Sequence, residues 1–246
     1  MLAYDNVSSL SAEQSDLLCK IATGYAMERR RLYSNVDVVG ATVCRPQIAN
    51  GIVEFANRPD LLDRALLIRL SRIPEADRKP EQEVWSAFYA ARPKLLGALC
   101  DALSLALLGK DDVRCEATAR LADFHRYALA AEPAFAARGA FEQALRETET
   151  EAAEIALGAS LIGETVLSLM SDKSRWSGSA TELLQDLRFS GGEDLAKTRG
   201  FPKTASHISG DLKRIAHSLR RVGILASFHR TGERGRWIEL ERTKNS

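Results

Sequence analysis

The side chains best suited to chemistry lie in the last fifth of the chain. Residues 199–246 hold 11 Lys/Arg against 4 Asp/Glu, a local charge of +7 in a 246-residue protein whose net charge is +1. Residues 1–159 and 160–198 are slightly acidic, at −4 and −2. A basic end on an otherwise neutral chain points to an anionic partner, with nucleic acid the first candidate. Two clusters carry the charge. Lys203, Ser206, His207, Lys213, Arg214, Arg220 and Arg221 fall within 202–221, and Arg230, Arg234 and Arg236 surround glycines at 232 and 235. Early positions of such a helix, Lys203 to His207, would approach base edges, while the later cations would neutralise phosphates. The glycines permit a tight tip close to a sugar–phosphate backbone.

Periodicity shows which elements must hold these groups. Pro202 is expected to open a helix whose apolar residues at 208, 212, 215, 219 and 222 make one inward stripe before Gly223. Leu161–Met170 and Thr181–Leu187 read as two earlier helices, with Gly191-Gly192 in a loop. Ile224–Arg230 and Arg236–Leu240 read as two strands, with Trp237 in the core. Three helices followed by a basic hairpin make the layout of a winged-helix domain over 159–246, an α+β unit whose third helix enters the major groove. A protein-docking module with an incidentally basic face is the competing reading of the same layout.

Upstream, residues 79–158 are rich in Ala, Leu and Glu with apolar residues three and four apart, which predicts helices. Trp85, Phe88 and Tyr89 share one helical stripe with Leu95, Leu96 and Leu99, and such stripes are expected in a core. The run Leu95–Leu108 is interrupted by Asp101 and is too short for the roughly 20 residues of a membrane span, so neither membrane nor leader is expected and the cytoplasm is the default location. Cys19, Cys44, Cys100 and Cys115 form no CxxC pair and are expected as small buried thiols. The four histidines are scattered and no GxSxG is present, which leaves little for a hidden hydrolytic site.

The first 78 residues alternate short apolar runs with helical patterns. Leu2–Tyr4 and Pro46–Ile52 read as strands with polar residues at their carboxyl ends, Val36–Val43 as a strand or hairpin, Leu66–Leu70 as another strand, and the segments around 16–22 and 61–65 as helices. That is an α/β arrangement. Leu2-Ala3-Tyr4-Asp5-Asn6-Val7-Ser8, Arg45-Pro46-Gln47-Ile48-Ala49-Asn50-Gly51 and Arg58-Pro59-Asp60-Leu61-Leu62-Asp63-Arg64, in that order and spacing, resemble the Walker B strand, sensor 1 strand and arginine-finger box of a P-loop ATPase of the AAA+ kind. The closest likeness is to the primase-helicase-like ATPases of phage and mobile-element replication.

The resemblance implies an α/β remnant of a P-loop core over 1–78, a helical lid over 79–158 and the winged helix, a predominantly helical whole. It makes Asp5 the carboxylate of a Mg²⁺ site, Asn50 the sensor that orients water at the γ-phosphate of ATP, and Arg64 a finger offered across a subunit interface, in a homo-oligomeric ring or to a partner chain. Asn6 stands where many relatives carry a glutamate, and an amide can position water but cannot act as a base. GxxxxGK[ST] does not occur in the sequence. The chain therefore resembles the C-terminal portion of a longer ATPase, a truncated form expected to bind DNA and to hydrolyse no ATP unless a Walker A-bearing segment completes it. The alternative is a stand-alone winged-helix transcriptional regulator that dimerises through its helical middle; such a protein has no need of Arg64 as a finger.

Overall fold

Local signals start and stop most elements. The computed structural model describes residues 1–30, 38–114, 121–191, 198, 200–231 and 235–243. Within them the chain is predominantly helical with small sheets, and it divides into two compact units, Met1–Ala65 with Glu149–Ser246, and Leu66–Thr148. No single helix among the described residues is long and apolar enough to cross a membrane.

The first unit begins with β1 (Leu2–Tyr4), followed by α1 (Ala12–Thr23). Ser11 caps α1 in a reciprocal box: its hydroxyl accepts from the Gln14 amide at 3.2 Å, and the Gln14 side chain accepts from the Ser11 amide at 2.8 Å. Gly24, at φ 100°, ends the helix in a conformation that L side chains avoid. An antiparallel pair follows, β2 (Tyr25–Arg30) with β3 (Val38–Val43), then β4 (Gln47–Ala49) and a short α2 (Pro59–Leu62) with proline at its first position. β1 and β4 are parallel neighbours, Leu2 opposite Gln47 and Tyr4 opposite Ala49. The basic run after α1 thus enters a strand at Arg29 and Arg30, while Arg31 and Val36 lie outside the described residues.

One expected strand is absent. Leu66–Leu70 has no regular structure, and Ile68 and Leu70 are 80% and 89% exposed. An apolar run becomes a strand only when a neighbour completes its hydrogen bonds, and no described strand pairs with it.

The second unit holds α3 (Glu81–Gly109) and α4 (Ala122–Ala131), and α5 (Ala140–Gly158) begins there. The stripe that joins Trp85 to Leu99 does share one helix, but it is not core: Trp85, Phe88, Tyr89, Leu95, Leu96 and Leu99 are all exposed. α3 carries apolar residues on several sides, and among the described residues its main packing is against α4 and the helical turn Glu132–Ala134. The turn before α5 is organised by Glu132, a buried carboxylate that accepts the backbone N–H groups of Gly139 at 2.8 Å and Phe141 at 2.7 Å. The thiols divide likewise. Cys19 is buried, Cys44 and Cys100 are exposed because their neighbours leave one side open, and Cys115 lies outside the described residues.

Returning to the first unit, α6 (Leu161–Leu169), capped by Ser160, leads to β5 (Arg175–Gly178), α7 (Ala180–Gly191), α8 (Ala205–Arg221), β6 (Ile224–Thr231) and β7 (Gly235–Arg242). The three strands form an antiparallel sheet in the order β5-β7-β6. Leu183, Leu187, Leu212, Leu219 and Leu240, each at 0% exposure, join the helices to the sheet in the largest core of the molecule. Full burial of each such side chain contributes about 1.5–3 kcal/mol. β5 is the element that the sequence conceals, because Arg175-Trp176-Ser177-Gly178 is too short and too polar to alternate. Trp176 fixes it, buried against the core with its indole N–H donating to Asp186 Oδ2 at 2.7 Å.

Candidate nucleic-acid interface

The basic helix α8 starts at Ala205, three residues later than Pro202 suggests. Pro202 is itself buried, and the Thr204 hydroxyl takes the cap position, accepting from the His207 amide at 3.4 Å. Lys203 is therefore in the turn before the helix, beside the positive end of its dipole. Ile208, Leu212, Ile215 and Leu219 are buried as the stripe predicts, and Val222 packs against the same core. With 3.6 residues per turn, the remaining side chains form two rows: Ser206, Lys213 and Arg220, and next to them His207, Arg214 and Arg221.

The rows differ in their electrostatic partners. Lys213 extends over β6, its Nζ 5.2 Å from the centre of the Phe228 ring. Strand alternation puts Phe228 on the same sheet face as Arg230, and the register places Arg236 directly opposite Arg230. Among the described residues no carboxylate lies within 4.0 Å of Lys203, Lys213, Arg220, Arg230 or Arg236. All five are exposed. In the other row Arg214 is ion-paired with Asp211 and Arg221 with Glu149. His207 is exposed near the start of α8. Arg234 lies outside the described residues.

The open cations therefore run from the start of α8, across Lys213 and Phe228, to the two arginines of the hairpin. Such a surface can take up several phosphates without first losing internal ion pairs. Phe228 was invisible as a participant, since its place in an apolar alternation marks it as core. It is instead 37% exposed and lies beneath the lysine. Trp237, expected in the core, is half-buried and stacks on His229 with ring centres 5.0 Å apart.

At the other end of the sequence, the parallel pairing of β1 and β4 brings Asp5, Asn6 and Asn50 together at the carboxyl ends of adjacent strands. Asn6 has φ 55°, an uncommon conformation that asparagine tolerates better than most residues, and its backbone N–H donates to Asn50 Oδ1 at 2.8 Å. The Val7 amide bonds the Asn50 carbonyl at 2.8 Å, and the Asn50 amide bonds the Tyr4 carbonyl at 3.0 Å. Gly51 is required by closeness: a Cβ there would sit 2.2 Å from the Val7 carbonyl oxygen. Asp5 is exposed at this junction, and among the described residues no group of three or more His, Cys, Asp or Glu is arranged to hold a metal by itself.

Arg64 is half-buried in the same unit, where its guanidinium donates to the Asp60 carbonyl and its Nε has no hydrogen-bond partner among the described residues. The turn it belongs to is fixed by Arg58, which grips Asp60 with two nitrogens at 3.0 and 3.1 Å and reaches Asp16 at 2.8 Å. Burial works against ionisation of Asp60, but the hydrogen bonds and charge of Arg58 outweigh it and hold the carboxyl below the ordinary aspartate range. Burial, reinforced by the Asp60 charge, pushes the Cys19 thiol up.

Two family matches cover most of the chain. Residues 1–149 match the family described as the actinomycete integrative conjugative element replication protein, and residues 162–246 match the AICE RepA C-terminal domain. Among curated proteins and among solved structures nothing matches. The boundary between the matched regions falls beside Ser160, the residue that caps the first helix of the C-terminal α+β unit. Because the first match alone spans more than half of the sequence, the chain belongs to the replication proteins of actinomycete integrative conjugative elements, a family of mobile-element replication proteins.

Proposed function

We propose that this replication protein binds duplex DNA through residues 161–242 acting as a winged helix, with α8 in the major groove and the β6–β7 hairpin as the wing. The observation that carries the reading is a set of exposed cations that have no acidic partner among the described residues, Lys203, Lys213 and Arg220 of α8 and its cap with Arg230 and Arg236 of the hairpin, with Lys213 and the hairpin arginines linked through Phe228. Ser206 and His207 are the side chains nearest the cap of α8 and are assigned to base edges. Arg234 extends the wing in sequence. Membership of a replication family favours this reading over a stand-alone transcriptional regulator.

The test is a salt series with a fluorescent duplex. Each phosphate neutralised adds about 0.9 to the slope of log K against log salt, so wild-type protein should give a slope of several units. Replacing Arg230 and Arg236 together by alanine should lower the slope by about 2 and weaken binding to all sequences alike. A salt-independent affinity, or an unchanged slope in the double variant, rejects the proposal.

A second reading is favoured by the parallel β1–β4 pair. The junction of Asp5, Asn6 and Asn50 has the order expected for half of a P-loop ATP site, with Asp5 toward Mg²⁺, Asn6 and Asn50 as water-orienting amides and Arg64 as a finger offered to a neighbouring subunit. One carboxylate is compatible with magnesium only when nucleotide phosphates supply further ligands. The site is thus read as one that a Walker A-bearing segment completes, in a ring or a partner chain, and the C-terminal unit as its DNA-binding attachment.

A further inference from the structure

Acidic side chains from two remote parts of the sequence converge on the last turns of α8. His217, in the middle of the solvent-facing side opposite the buried stripe, has its Nε2 3.9 Å from Asp63 Oδ1, in the turn that follows α2. One turn further on, Arg221 is ion-paired with Glu149 of α5, both groups being half-buried. Arg214 is held by Asp211 within the helix. The start of α8, Lys213 and the wing arginines have no such cover among the described residues.

We infer that Asp63 and Glu149 stand in for DNA phosphates on the C-terminal half of α8 and form an internal latch that DNA must displace in order to seat along the whole helix. The inference rests on the proposed DNA-binding reading and concerns the regulation of that same surface. Physically, a carboxylate and a phosphate oxygen compete for the same guanidinium, and only one can occupy its fork. A phosphate backbone that follows α8 from Lys203 past Arg214 meets His217 and Arg221 next, where negative charge is already in place. The open half and the wing can make the first encounter; full seating costs the Arg221–Glu149 and His217–Asp63 contacts. The latch also ties DNA engagement to the turn that carries Arg64, because Asp63 is its immediate neighbour. Any event that moves residues 58–65 would then change DNA affinity without touching a DNA contact.

The experiment compares duplex affinity at one fixed, moderate salt concentration for the full chain and for Asp63→Asn, Glu149→Gln, the double variant and Asp172→Asn. The last removes an exposed carboxylate in the turn between α6 and β5 of the same unit, for which no ion pair is found among the described residues. Glu149→Gln is expected to tighten binding by about 1.4- to 5-fold, the range of a partly exposed ion pair; Asp63→Asn, whose partner His217 is charged only when protonated, is expected to tighten it by less, and the double variant by more than either. Asp172→Asn reports the general effect of one lost negative charge and should change affinity less. If none of the latch variants binds more tightly than wild type, the latch is overturned and the DNA-binding reading is left standing. An equal gain from Asp172→Asn overturns it too, since the effect would then be one of net charge. If neither wild type nor the double variant binds duplex, the DNA-binding reading itself fails and takes the latch with it. Thermal unfolding accompanies each variant; should Glu149→Gln unfold, Asp63→Asn at its more exposed contact decides the question alone.

Discussion

Arg230 and Arg236 stand directly opposite one another across the β6–β7 register, on the sheet face that also carries Phe228 and Ile238. Like charges at opposed positions oppose strand pairing, and here no described carboxylate separates them. A hairpin that keeps such a pair gains most when an anion bridges it.

Replacing Arg236 by glutamine should therefore act in opposite directions on two properties. Thermal unfolding should show a gain of a few tenths of a kcal/mol as the repulsion is relieved. DNA affinity should fall, with the salt slope lower by about 0.9. A loss in both would identify Arg236 as a structural residue of the hairpin.

The junction at the ends of β1 and β4 depends on backbone closeness. Gly51→Ala should destabilise the N-terminal half of the first unit by about 1–3 kcal/mol, because the added methyl meets the Val7 carbonyl and the Phe55 ring, neither of which can yield freely. Hydrogen exchange should locate the change at β1 and β4 and leave the 161–242 core protected.

Acid should loosen the turn between α4 and α5. The backbone N–H groups of Phe141 and then Gly139 hold the Glu132 carboxyl below the ordinary glutamate range. Since its folded value lies below the unfolded one of about 4.3, the stabilisation is fully present above that pH and is lost as pH falls through the folded value. Glu132→Gln should remove this dependence while lowering the melting temperature at neutral pH, and melting curves at several pH values between about 3 and 7 would show it.

How much of this was legible beforehand varies with the range of the interactions involved. The inward stripe of α8, the two short strands just before Asp5 and Asn50, and the long helix through Trp85 are written in local patterns, and all are found, whereas the parallel pairing of those strands is a nonlocal fact. Patterns of that kind report which side of an element is apolar. They do not report whether anything covers it, which is why Trp85, Phe88 and Tyr89 are exposed where a core was expected, and why Leu66–Leu70, apolar but unpaired, is no strand.

Within the candidate interface, sequence by itself determined the concentration of charge, the face of α8 that turns inward and the alternation that sets Arg230 apart from its neighbours. Arg214 is paired within its own helix by Asp211, three residues earlier, a spacing the sequence already shows. Tertiary structure decided the rest: Arg220 and Arg221 are alike in sequence, yet only Arg221 meets Glu149, while Lys213 comes to rest over Phe228. Helical periodicity assigns a side chain to a face; a carboxylate or ring from another element is supplied only when the two elements meet, and Coulomb energy depends on that distance and on the surrounding solvent. The strand β5 makes the same point in the apolar core, since Arg175–Gly178 becomes a strand through its pairing with β7 and the burial of Trp176, both nonlocal contacts.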